Sequence, residues 1–523
     1  METFLYQRPQ KQDIKLNLIF AYPAIESFAL ASLSFLNIFK MFDVDEEIYA
    51  QRLYCDSKNF SYPPKNADCI GFSVSFEIDI LNIIKMLKKY EIPLKFQDRQ
   101  EDDPIVFAGG PVLMSNPMPF EEFFDFISIG EMSCLASAME VLKKKNELSR
   151  DEILKQLSEL DGIYVPKYKK EKINIVRDDL SSQVVYTPIL SDKSFFQDTF
   201  IIELERGCPK MCNFCLASWL NLPVRFAPFE KIIEAIDLGL KHTNKLALLG
   251  AYVGGHPQFD KIVEYISKQC ETREIELSIS SLRADLSDEE LIKTLVKCNQ
   301  KTATIALEAG SQRLRDLIKK DLTEQEILTT LKTAQIGGLK GMKIYTMIGL
   351  PTETDEDIQE LVEIVKKMKA QVKEIMKEHS TSNFEITISA SNFIPKAHTP
   401  FENTEMCDKK TLKNRIEYLK KAFHKMGVQF RSSSIEWDMV QSILSRYDKP
   451  LSDFLIDVVE NGGNIGAFKQ LWRSYSKKGL LPMGFEEIAS SPFSNIKAPE
   501  WDCINTGASE YKINRQKQLL DSL

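Results

Sequence analysis

Three cysteines within one short segment are the most chemically specific feature of this sequence. Cys208, Cys212 and Cys215 follow a C-x3-C-x2-C spacing. Thiolates held this close together repel one another unless a metal neutralises them, and three ligands on one loop fit a cubane iron–sulfur cluster whose fourth iron has no protein ligand. A tetrahedral zinc site would need a fourth Cys or His close by, but the nearest histidine, His242, lies well downstream. We therefore predict an iron–sulfur cluster on this loop.

Length, charge and cysteine usage restrict the class of protein. A chain of 523 residues exceeds a single hydrophobic core, so several domains are expected. The net charge of −8 argues against a surface built mainly to bind nucleic acid. Ten cysteines without a recognisable secretory leader do not indicate a disulfide framework. The longest apolar stretch, residues 28–39, is too short to span a bilayer. We expect a cytoplasmic protein with no membrane partner.

Residues 1–150 have the pattern of a Rossmann-like domain. Strand-like and helix-like runs alternate in the order 15–22, 26–40, 68–74, 79–90, 104–108, 124–128 and 132–145. This alternation predicts a parallel sheet covered by helices. Gly109, Gly110 and Gly130 follow the predicted strands. They would let a ligand approach the backbone closely or would only form tight turns, and both interpretations stay open.

Residues 151–198 are more polar, and we expect them to form a connector with a small hairpin. Alternating patterns at 173–176 and 183–186 would supply its two strands. The charge run at 167–172 is expected to be a solvated surface.

Residues 199–402 predict a partial (β/α)6 barrel. Six strand-like runs, with helical patterns between them, cover residues 199–205, 245–253, 275–281, 302–308, 342–349 and 384–390. Barrels of this kind carry their chemistry on the loops that follow the strands, and the cysteine loop follows the first strand. Residues 403–523 are expected to form a mainly helical extension, with patterns at 409–425, 451–461 and 465–477.

Polar groups and glycines follow the later barrel strands as well. Gly250 and Ala251 follow the second strand, Ser281 and Arg283 the third, Glu308 and Ser311 the fourth, and Ile348 and Gly349 end the fifth. Together such groups could hold a ribose diol, an amino group and a carboxylate. Taken singly, each has a plain structural explanation, since Ser311 would also serve as a helix N-cap and Gly349 as part of a turn.

The segments ERGCPKMCNFCLASWLNLPVR, SLRADLSDEEL, ALEAGSQRLRDLIKK, KIYTMIGLPTETDEDI and SASNFIPKAHTPF resemble the radical S-adenosylmethionine superfamily. Its cluster motif is C-x3-C-x-aromatic-C, and Phe214 occupies the aromatic place. With DCIGFSVSFEIDILNIIKML, FAGGPVLMSNPMPF and the terminal WDCINTG, the chain looks like one poorly characterised bacterial subfamily. Its members place a cobalamin-binding-like Rossmann domain before the radical barrel.

The resemblance implies an activity and a set of contacts. It implies that the catalytic Cys208, Cys212 and Cys215 hold a four-iron, four-sulfur cluster that cleaves S-adenosylmethionine reductively to methionine and a 5′-deoxyadenosyl radical. Carried over by position, it implies cofactor contacts at Phe214, Gly250, Ala251, Ser281, Arg283, Glu308, Ser311, Ile348 and Gly349. Within that set, Gly250 and Ala251 would meet the amino group, although the usual Gly-Gly-Glu run is absent there. Ser281 and Arg283 would meet the carboxylate, Glu308 the ribose, and Ile348 and Gly349 the adenine.

The amino-terminal domain departs from the cobalamin pattern. Cobalamin domains that replace the lower axial base carry Asp-x-His-x-x-Gly, whereas all five histidines here lie at or after His242. A histidine-ligated cobalamin in that domain is therefore excluded. Cobalamin bound without a protein ligand, or a domain that has lost the cofactor and docks the substrate, both stay open. Cys503, in the terminal Trp-Asp-Cys segment, is either a small buried residue or an auxiliary thiol.

Three classes of function follow. The first is a radical enzyme that modifies a small molecule, peptide or cofactor precursor, with methylation if cobalamin binds, and with flavodoxin or ferredoxin as electron donor. The second is an RNA-modifying enzyme of the methylthiotransferase kind. Those enzymes carry a second cysteine triad in the amino-terminal domain, where Cys55, Cys69 and Cys134 lack a motif context. The third is a non-catalytic iron–sulfur redox sensor.

Overall fold

The computed structural model describes residues 2–286, 288–379, 381, 383–482, 484–491 and 499–520. It has an α/β architecture with three parts in chain order: a mostly parallel sheet, a partial barrel of parallel strands and a mainly helical carboxyl-terminal region. The predicted fold class is therefore confirmed. Across these described ranges, no helix combines the length and the apolar character needed to cross a membrane.

The first part of the chain forms a six-stranded sheet with helices around it. Its elements are β1 (Glu2–Phe4), β2 (Leu16–Tyr22), α1 (Glu26–Ala29), α2 (Leu33–Asp43), β3 (Ile48–Tyr54), β4 (Cys69–Ser73), α3 (Ile80–Lys89), β5 (Ile105–Gly109), α4 (Pro111–Ser115), β6 (Phe126–Ser128), α5 (Met132–Leu142), α6 (Arg150–Glu159) and β7 (Ile163–Tyr164). The strand order is β3-β2-β4-β5-β6-β7, with only β7 antiparallel to its neighbour. Strand β4 is buried along its whole length, as a parallel strand covered by helices should be.

Two features of this sheet differ from the sequence-based expectation. The edge strand β3 has no counterpart among the predicted strands, because Gln51 and Arg52 interrupt its apolar alternation. Helix α6 and strand β7 extend the unit past residue 150, since β7 pairs with β6.

The hairpin predicted in the connector is wrong. Strand β8 (Ile173–Asn174) pairs in parallel with β20 (Ile504–Asn505) near the end of the chain. Strand β9 (Val185–Tyr186) pairs antiparallel with β11 (Phe200–Glu203), and β10 (Ile189–Ser191) pairs with β1. Short alternating segments specify their partners weakly. Here each of the three short strands pairs with a strand outside the connector.

The barrel is built from six parallel β–α units, as predicted. Its elements after β11 are β12 (Glu205–Arg206), α7 (Leu216–Leu220), β13 (Arg225–Phe226), α8 (Phe229–Leu240), β14 (Lys245–Leu249), α9 (Phe259–Gln269), β15 (Glu276–Ile279), α10 (Glu289–Lys297), β16 (Thr302–Glu308), α11 (Gln312–Leu317), α12 (Glu324–Ile336), β17 (Gly341–Ile348), α13 (Asp355–His379) and β18 (Glu385–Asn392). The strands β9-β11-β14-β15 and β16-β17-β18-β19 form two groups, joined by a parallel bridge between Leu282 and Ile305. Strand β19 (Gln429–Ser432) lies parallel to β18, so the region after residue 402 contributes to the barrel.

Alternation along the barrel strands separates two faces. Ile344 and Ile388 are fully buried and belong to the core that includes Leu361 and Leu412 of the surrounding helices. On each of these strands, the residues that alternate with the buried ones face the barrel interior, as the pleat of a strand requires. The sequence sets the helix starts locally. Helix α12, for example, begins with a capping box in which Thr323 and Glu326 satisfy each other's backbone N–H groups.

The carboxyl-terminal region is mainly helical. It contains α14 (Lys409–Lys425), α15 (Ile435–Leu444), α16 (Ser452–Glu460), α17 (Ile465–Lys477), α18 (Phe485–Ser490) and α19 (Ser509–Leu520). The predicted patterns at 409–425, 451–461 and 465–477 correspond to α14, α16 and α17. Cys270 and Cys298, at the ends of α9 and α10, form a disulfide, although the cysteine usage of the sequence does not indicate a disulfide framework.

Candidate active site

The cysteine loop runs from β12 to α7 at the carboxyl end of the first barrel strand. Gly207 has φ of +93°, and a Cβ there would lie 2.5 Å from the carbonyl oxygen of Asn221, so only glycine fits. Met211, between the first two cysteines, also has a left-handed backbone with φ of +48°. The loop therefore turns sharply before each of the first two cysteines.

Hydrogen bonds hold the loop in place. The Trp219 indole N–H donates to the carbonyl of Cys212 at 3.0 Å. Asn213 donates through its backbone N–H to the carbonyl of Ile318 at 3.0 Å and through its side chain to that of Leu317 at 2.6 Å. The loop is thus fixed to its own helix α7 and to the end of α11 across the barrel mouth.

The electrostatics around the cysteines suit a metal cluster. Burial raises the pKa of Cys212 to about 12, and the neighbouring Lys320 and Arg283 act in the opposite direction. Metal binding deprotonates such thiols, and the two cations offset the negative charge that results. In the part of the chain that the structure describes, no three His, Cys, Asp or Glu side chains converge on a single metal ion. Three soft thiolates between two cations fit the predicted multi-iron cluster.

Glu205 is a buried carboxyl group beneath the end of the second barrel strand. It is 1% exposed, and its Oε1 accepts a hydrogen bond from the Tyr252 backbone N–H at 2.5 Å. Its Oε2 has no hydrogen-bond partner among the described residues. Burial raises its pKa to about 8. A Cβ on Gly250 would overlap both oxygens of Glu205, so the predicted amino-group site at Gly250 and Ala251 lies directly over this carboxyl group.

Arg283 stands between the third strand end and the cysteine loop. Its Nε donates to Asp285 at 2.9 Å, and its Nη2 donates to the carbonyls of Lys320 and Asp321 at 3.1 and 3.2 Å. It therefore holds the segment after α11 against the loop after β15. Ser281 lies just before it and is half-buried. Their contact with the carboxylate of S-adenosylmethionine stays a prediction.

The fourth strand ends in Glu308, which has a left-handed backbone with φ of +66°. Such strain in a residue other than glycine is concentrated at functional sites. Glu308 forms an ion pair with Lys320, whose Nζ lies 3.0 Å from its carboxylate. Lys320 is also one of the cations beside Cys212. The predicted ribose ligand is thus connected to the cluster loop by one lysine. Lys320 is not among the residues predicted from sequence, although its place in the RLRDLIKK segment was a usable signal.

Ser311 and the fifth strand end have structural partners of their own, and their contacts with the cofactor stay predictions. Ser311 is 1% exposed, caps α11 and donates to Asp357 at 2.6 Å, so its hydroxyl has a structural partner. The side chain of Ile348 is fully buried on the helix side of β17. The backbone N–H of Gly349 donates to Glu353 at 2.6 Å. A contact between Ile348 or Gly349 and adenine would therefore have to use the backbone carbonyls.

Phe214 packs at a small hydrophobic cluster over the barrel mouth. The cluster is formed by residues that follow three strands together with the last helix: Ala309, Leu314, Ile318, Leu350, Phe393, Phe401 and Leu519. Leu519 belongs to α19, so the end of the chain covers the mouth beside the aromatic residue of the motif. A dry surface of this kind protects a reactive radical from water.

An apolar cavity of about 630 Å³ lies between the two sheets. Ser73, Gly109 and Gly130 line it from the carboxyl edge of the first sheet, while Leu216 and Leu249 line it from the barrel side. It thus begins at the edge where Rossmann-like sheets bind ligands and ends on the helix that leaves the cysteine loop. A second cavity, larger and more polar at about 840 Å³, lies against the edge strand β3. The two cavities have no lining residue in common.

Glu131 ties the two sides of this interdomain cavity together. Its carboxylate pairs with Arg206 at 2.5 Å and with Arg225 at 2.7 Å, and accepts the backbone N–H of Asp178 at 2.9 Å. Burial would raise the pKa of Glu131, but Arg225 and Arg206 hold it below its usual value. Since Arg206 lies in β12 directly before the cysteine loop, the start of that loop is fixed to the first domain.

Among the residues that the structure describes, the remaining free cysteines are not assembled into a second metal centre. Cys69 and Cys134 are buried within the first domain, and Cys55 lies beside Met86 on the opposite side of its sheet. Cys503 lies in the neighbourhood of Glu121, where burial raises its pKa to about 11. The structure therefore gives no support to an auxiliary thiol at the cluster.

The comparisons with known proteins agree with this geometry. Residues 34–166 match the amino-terminal family of radical SAM proteins, and residues 202–365 match the radical SAM superfamily. An uncharacterised protein of Methanocaldococcus jannaschii is 32% identical over 398 residues, which are 75% of this chain and 80% of that protein. The threonylcarbamoyladenosine tRNA methylthiotransferase MtaB of Aquifex aeolicus is 23% identical over 334 residues, 59% of this chain and 76% of that protein.

Among solved structures, the cobalamin-dependent S-adenosylmethionine radical enzyme OxsB with aqua-cobalamin bound matches with a TM-score of 0.51. The match has 13% sequence identity and covers 97% of this chain and 79% of that chain, so it reports the fold alone. The cysteine spacing, the barrel behind it and both family matches lead to one conclusion. This chain belongs to the radical S-adenosylmethionine superfamily of enzymes.

Proposed function

We propose that this enzyme binds a corrinoid in the interdomain cavity, next to the site where it cleaves S-adenosylmethionine. The observation that carries the proposal is the position of the cavity. It starts at the carboxyl edge of the first sheet and ends on α7, the helix that follows Cys215. A ligand there would lie directly beside the cluster loop.

The chain's own residues prepare the site for this chemistry. When bound, the cluster supplies the electron that breaks a sulfonium carbon–sulfur bond and the open iron that binds the methionine part. Cys208, Cys212 and Cys215 would hold it, while Lys320 and Arg283 balance its charge. The apolar cluster around Phe214 excludes water from the mouth.

The cavity suits a corrinoid without an imidazole ligand. Its lining is mostly apolar, and Gly109, Gly110 and Gly130 allow a flat ligand to approach the backbone. No histidine is among the residues that line it. The fold is shared with OxsB, which has been solved with aqua-cobalamin bound. A corrinoid held by shape and apolar contact is consistent with all three observations.

The test is reconstitution with a corrinoid. Protein with its cluster restored anaerobically is incubated with hydroxocobalamin and separated from free ligand, and the corrin absorbance that stays with it is measured. Ser34 is exposed on α2 and lines the cavity, so Ser34→Trp fills it without disturbing the core. Ser137→Trp, on the exposed face of α5 outside the cavity, is the matched control.

We expect about one corrinoid per chain for the wild type and for Ser137→Trp, and a loss of about tenfold in affinity for Ser34→Trp. If the wild type retains no corrinoid while it still cleaves S-adenosylmethionine, the cavity serves another ligand and the corrinoid proposal is wrong. The methylthiotransferase alternative is disfavoured because Cys69 and Cys134 lie inside the core of the first domain, away from Cys55.

The proposed chemistry also indicates a cellular compartment and a class of electron donor. An open-site cluster requires a reducing compartment, and eight of the ten cysteines are free thiols beside the one disulfide, which favours the cytoplasm. A low-potential flavodoxin or ferredoxin is the class of donor that would supply the electron.

A further inference from the structure

Three neighbouring strands present a polar surface to the barrel interior. Tyr345 of β17 is in register with Ser389 of β18, and Ser389 is in register with Arg431 of β19. In-register neighbours in a parallel sheet project to the same face. The opposite face carries Ile344, Ile388 and Phe430, which pack in the helical core. We call Lys343, Tyr345, Ser389 and Arg431 the lumen arc.

The lumen arc has two cations without a carboxylate partner. Within the residues that the structure describes, neither Lys343 nor Arg431 takes part in a salt bridge. The Nζ of Lys343 instead lies 3.0 Å from the hydroxyl of Tyr345 and 4.6 Å from the centre of its ring. Glu308, farther along the same face, is already paired with Lys320, and Glu385 at the start of β18 forms no ion pair with Lys343 or Arg431. The arc therefore presents two cations that no carboxylate neutralises by a direct ion pair.

The arc is accessible and close to the cluster loop. Tyr345 is 37% exposed although it lies on the concave side of the barrel, and Arg431 is exposed as well. Met347, two residues after Tyr345, packs against the same buried cluster as Phe214. Two residues of strand advance about 7 Å, and two strand spacings separate Tyr345 from Arg431 by about 10 Å. A small molecule could touch both the arc and the radical site.

We propose that the lumen arc binds an anionic group of the substrate, a carboxylate or a phosphate. This rests on the proposed radical chemistry at the barrel mouth and adds a substrate class to it. Arginine recognises both groups through paired N–H donors, and lysine adds a point charge. The hydroxyls of Tyr345 and Ser389 supply neutral donors between them.

The test places a reporter inside the arc. 3-Fluorotyrosine is incorporated at position 345, and its ¹⁹F resonance is followed in cluster-loaded protein, first without S-adenosylmethionine and then saturated with it. Potassium phosphate and potassium acetate are titrated separately, which distinguishes the two anions, with tetramethylammonium chloride as the control for ionic strength. Arg431→Gln and Lys343→Gln are compared with Arg473→Gln, which removes an exposed arginine on α17.

We expect a saturable shift with phosphate or acetate that weakens about tenfold in Arg431→Gln and Lys343→Gln and is unchanged in Arg473→Gln. A linear shift equal to that of the salt control, or equal binding in all variants, would overturn the proposal. So would binding that disappears only when S-adenosylmethionine is added, because its own carboxylate would then occupy the arc. Release of 5′-deoxyadenosine is measured on the same samples, so failure of the arc and failure of the radical chemistry are told apart.

Discussion

Glu205 shows how one side chain in the cysteine motif acquires a property that its sequence position does not reveal. The motif identifies the thiols because their spacing is local. The state of Glu205 depends on Gly250 and Tyr252, which lie more than forty residues away and meet it only in the folded barrel. The three thiols could therefore be singled out from sequence as the predicted cluster ligands, whereas the buried acid between them and the second strand could not.

The raised pKa of Glu205 predicts a pH-dependent stability. A carboxyl group whose pKa is higher in the folded state stabilises the fold in acid, and this contribution is lost as the pH rises from about 4.5 to about 8. Glu205→Gln removes the titration, so its unfolding midpoint should fall less than that of the wild type between pH 5 and pH 9. Between pH 5 and pH 9 the wild type should lose more of its free energy of unfolding than Glu205→Gln does, by an amount on the order of a few kcal/mol. Thermal unfolding across that range measures it, and parallel pH profiles would contradict the assignment.

At the scale of elements, periodicity predicted the parts that repeat and missed the parts that depend on a partner. The six β–α units follow from alternation that each strand and helix carries itself. The connector hairpin failed because β8 and β9 are too short to specify a partner and pair with β20 and β11. Strand β19 escaped notice because only Phe430 of its four residues packs against the core.

The contact between β12 and the end of β14 gives a prediction about these elements. Gly250→Ala would push its Cβ into the buried Glu205, which cannot turn away because it accepts the Tyr252 N–H. The strand end should shift, and affinity for S-adenosylmethionine should fall about tenfold. Gly484→Ala is the control, since a Cβ there meets only one side-chain oxygen at 3.9 Å. The measurement is equilibrium binding of S-adenosylmethionine to both cluster-loaded variants. Equal affinity in the two would show that this strand end does not touch the cofactor.

At the scale of the whole molecule, the order of domains followed from the sequence, but their contact did not. The resemblance to the superfamily covers each domain separately. The cavity and the ion network at Glu131 exist only where the two domains meet, and side chains from distant segments build both. Burial of Arg206 and Arg225 around one carboxylate couples the first sheet to the cysteine motif.

That coupling predicts a strong effect of Glu131→Gln. The change leaves the largely buried guanidinium group of Arg225 without its carboxylate and leaves Arg206 paired with Glu203 alone, which costs about 3 kcal/mol. We expect a lower urea midpoint and reduced retention of the cluster, because Arg206 directly precedes the cysteine loop. Glu140→Gln, which removes an exposed partner of Lys143 on the same helix α5, should change neither. Equal stability of the two variants would show that the domains do not depend on this network.

The central claim is that the loop of Cys208, Cys212 and Cys215 supports reductive cleavage of S-adenosylmethionine. It is tested most directly by measuring 5′-deoxyadenosine after anaerobic reconstitution with iron and sulfide and addition of S-adenosylmethionine and dithionite. We predict release by the wild type, none by Cys212→Ala, and wild-type release by Cys503→Ala, whose thiol lies in the neighbourhood of Glu121. A wild-type protein that carries a complete cluster and yields no 5′-deoxyadenosine, or a Cys212→Ala variant that still yields it, would contradict this account.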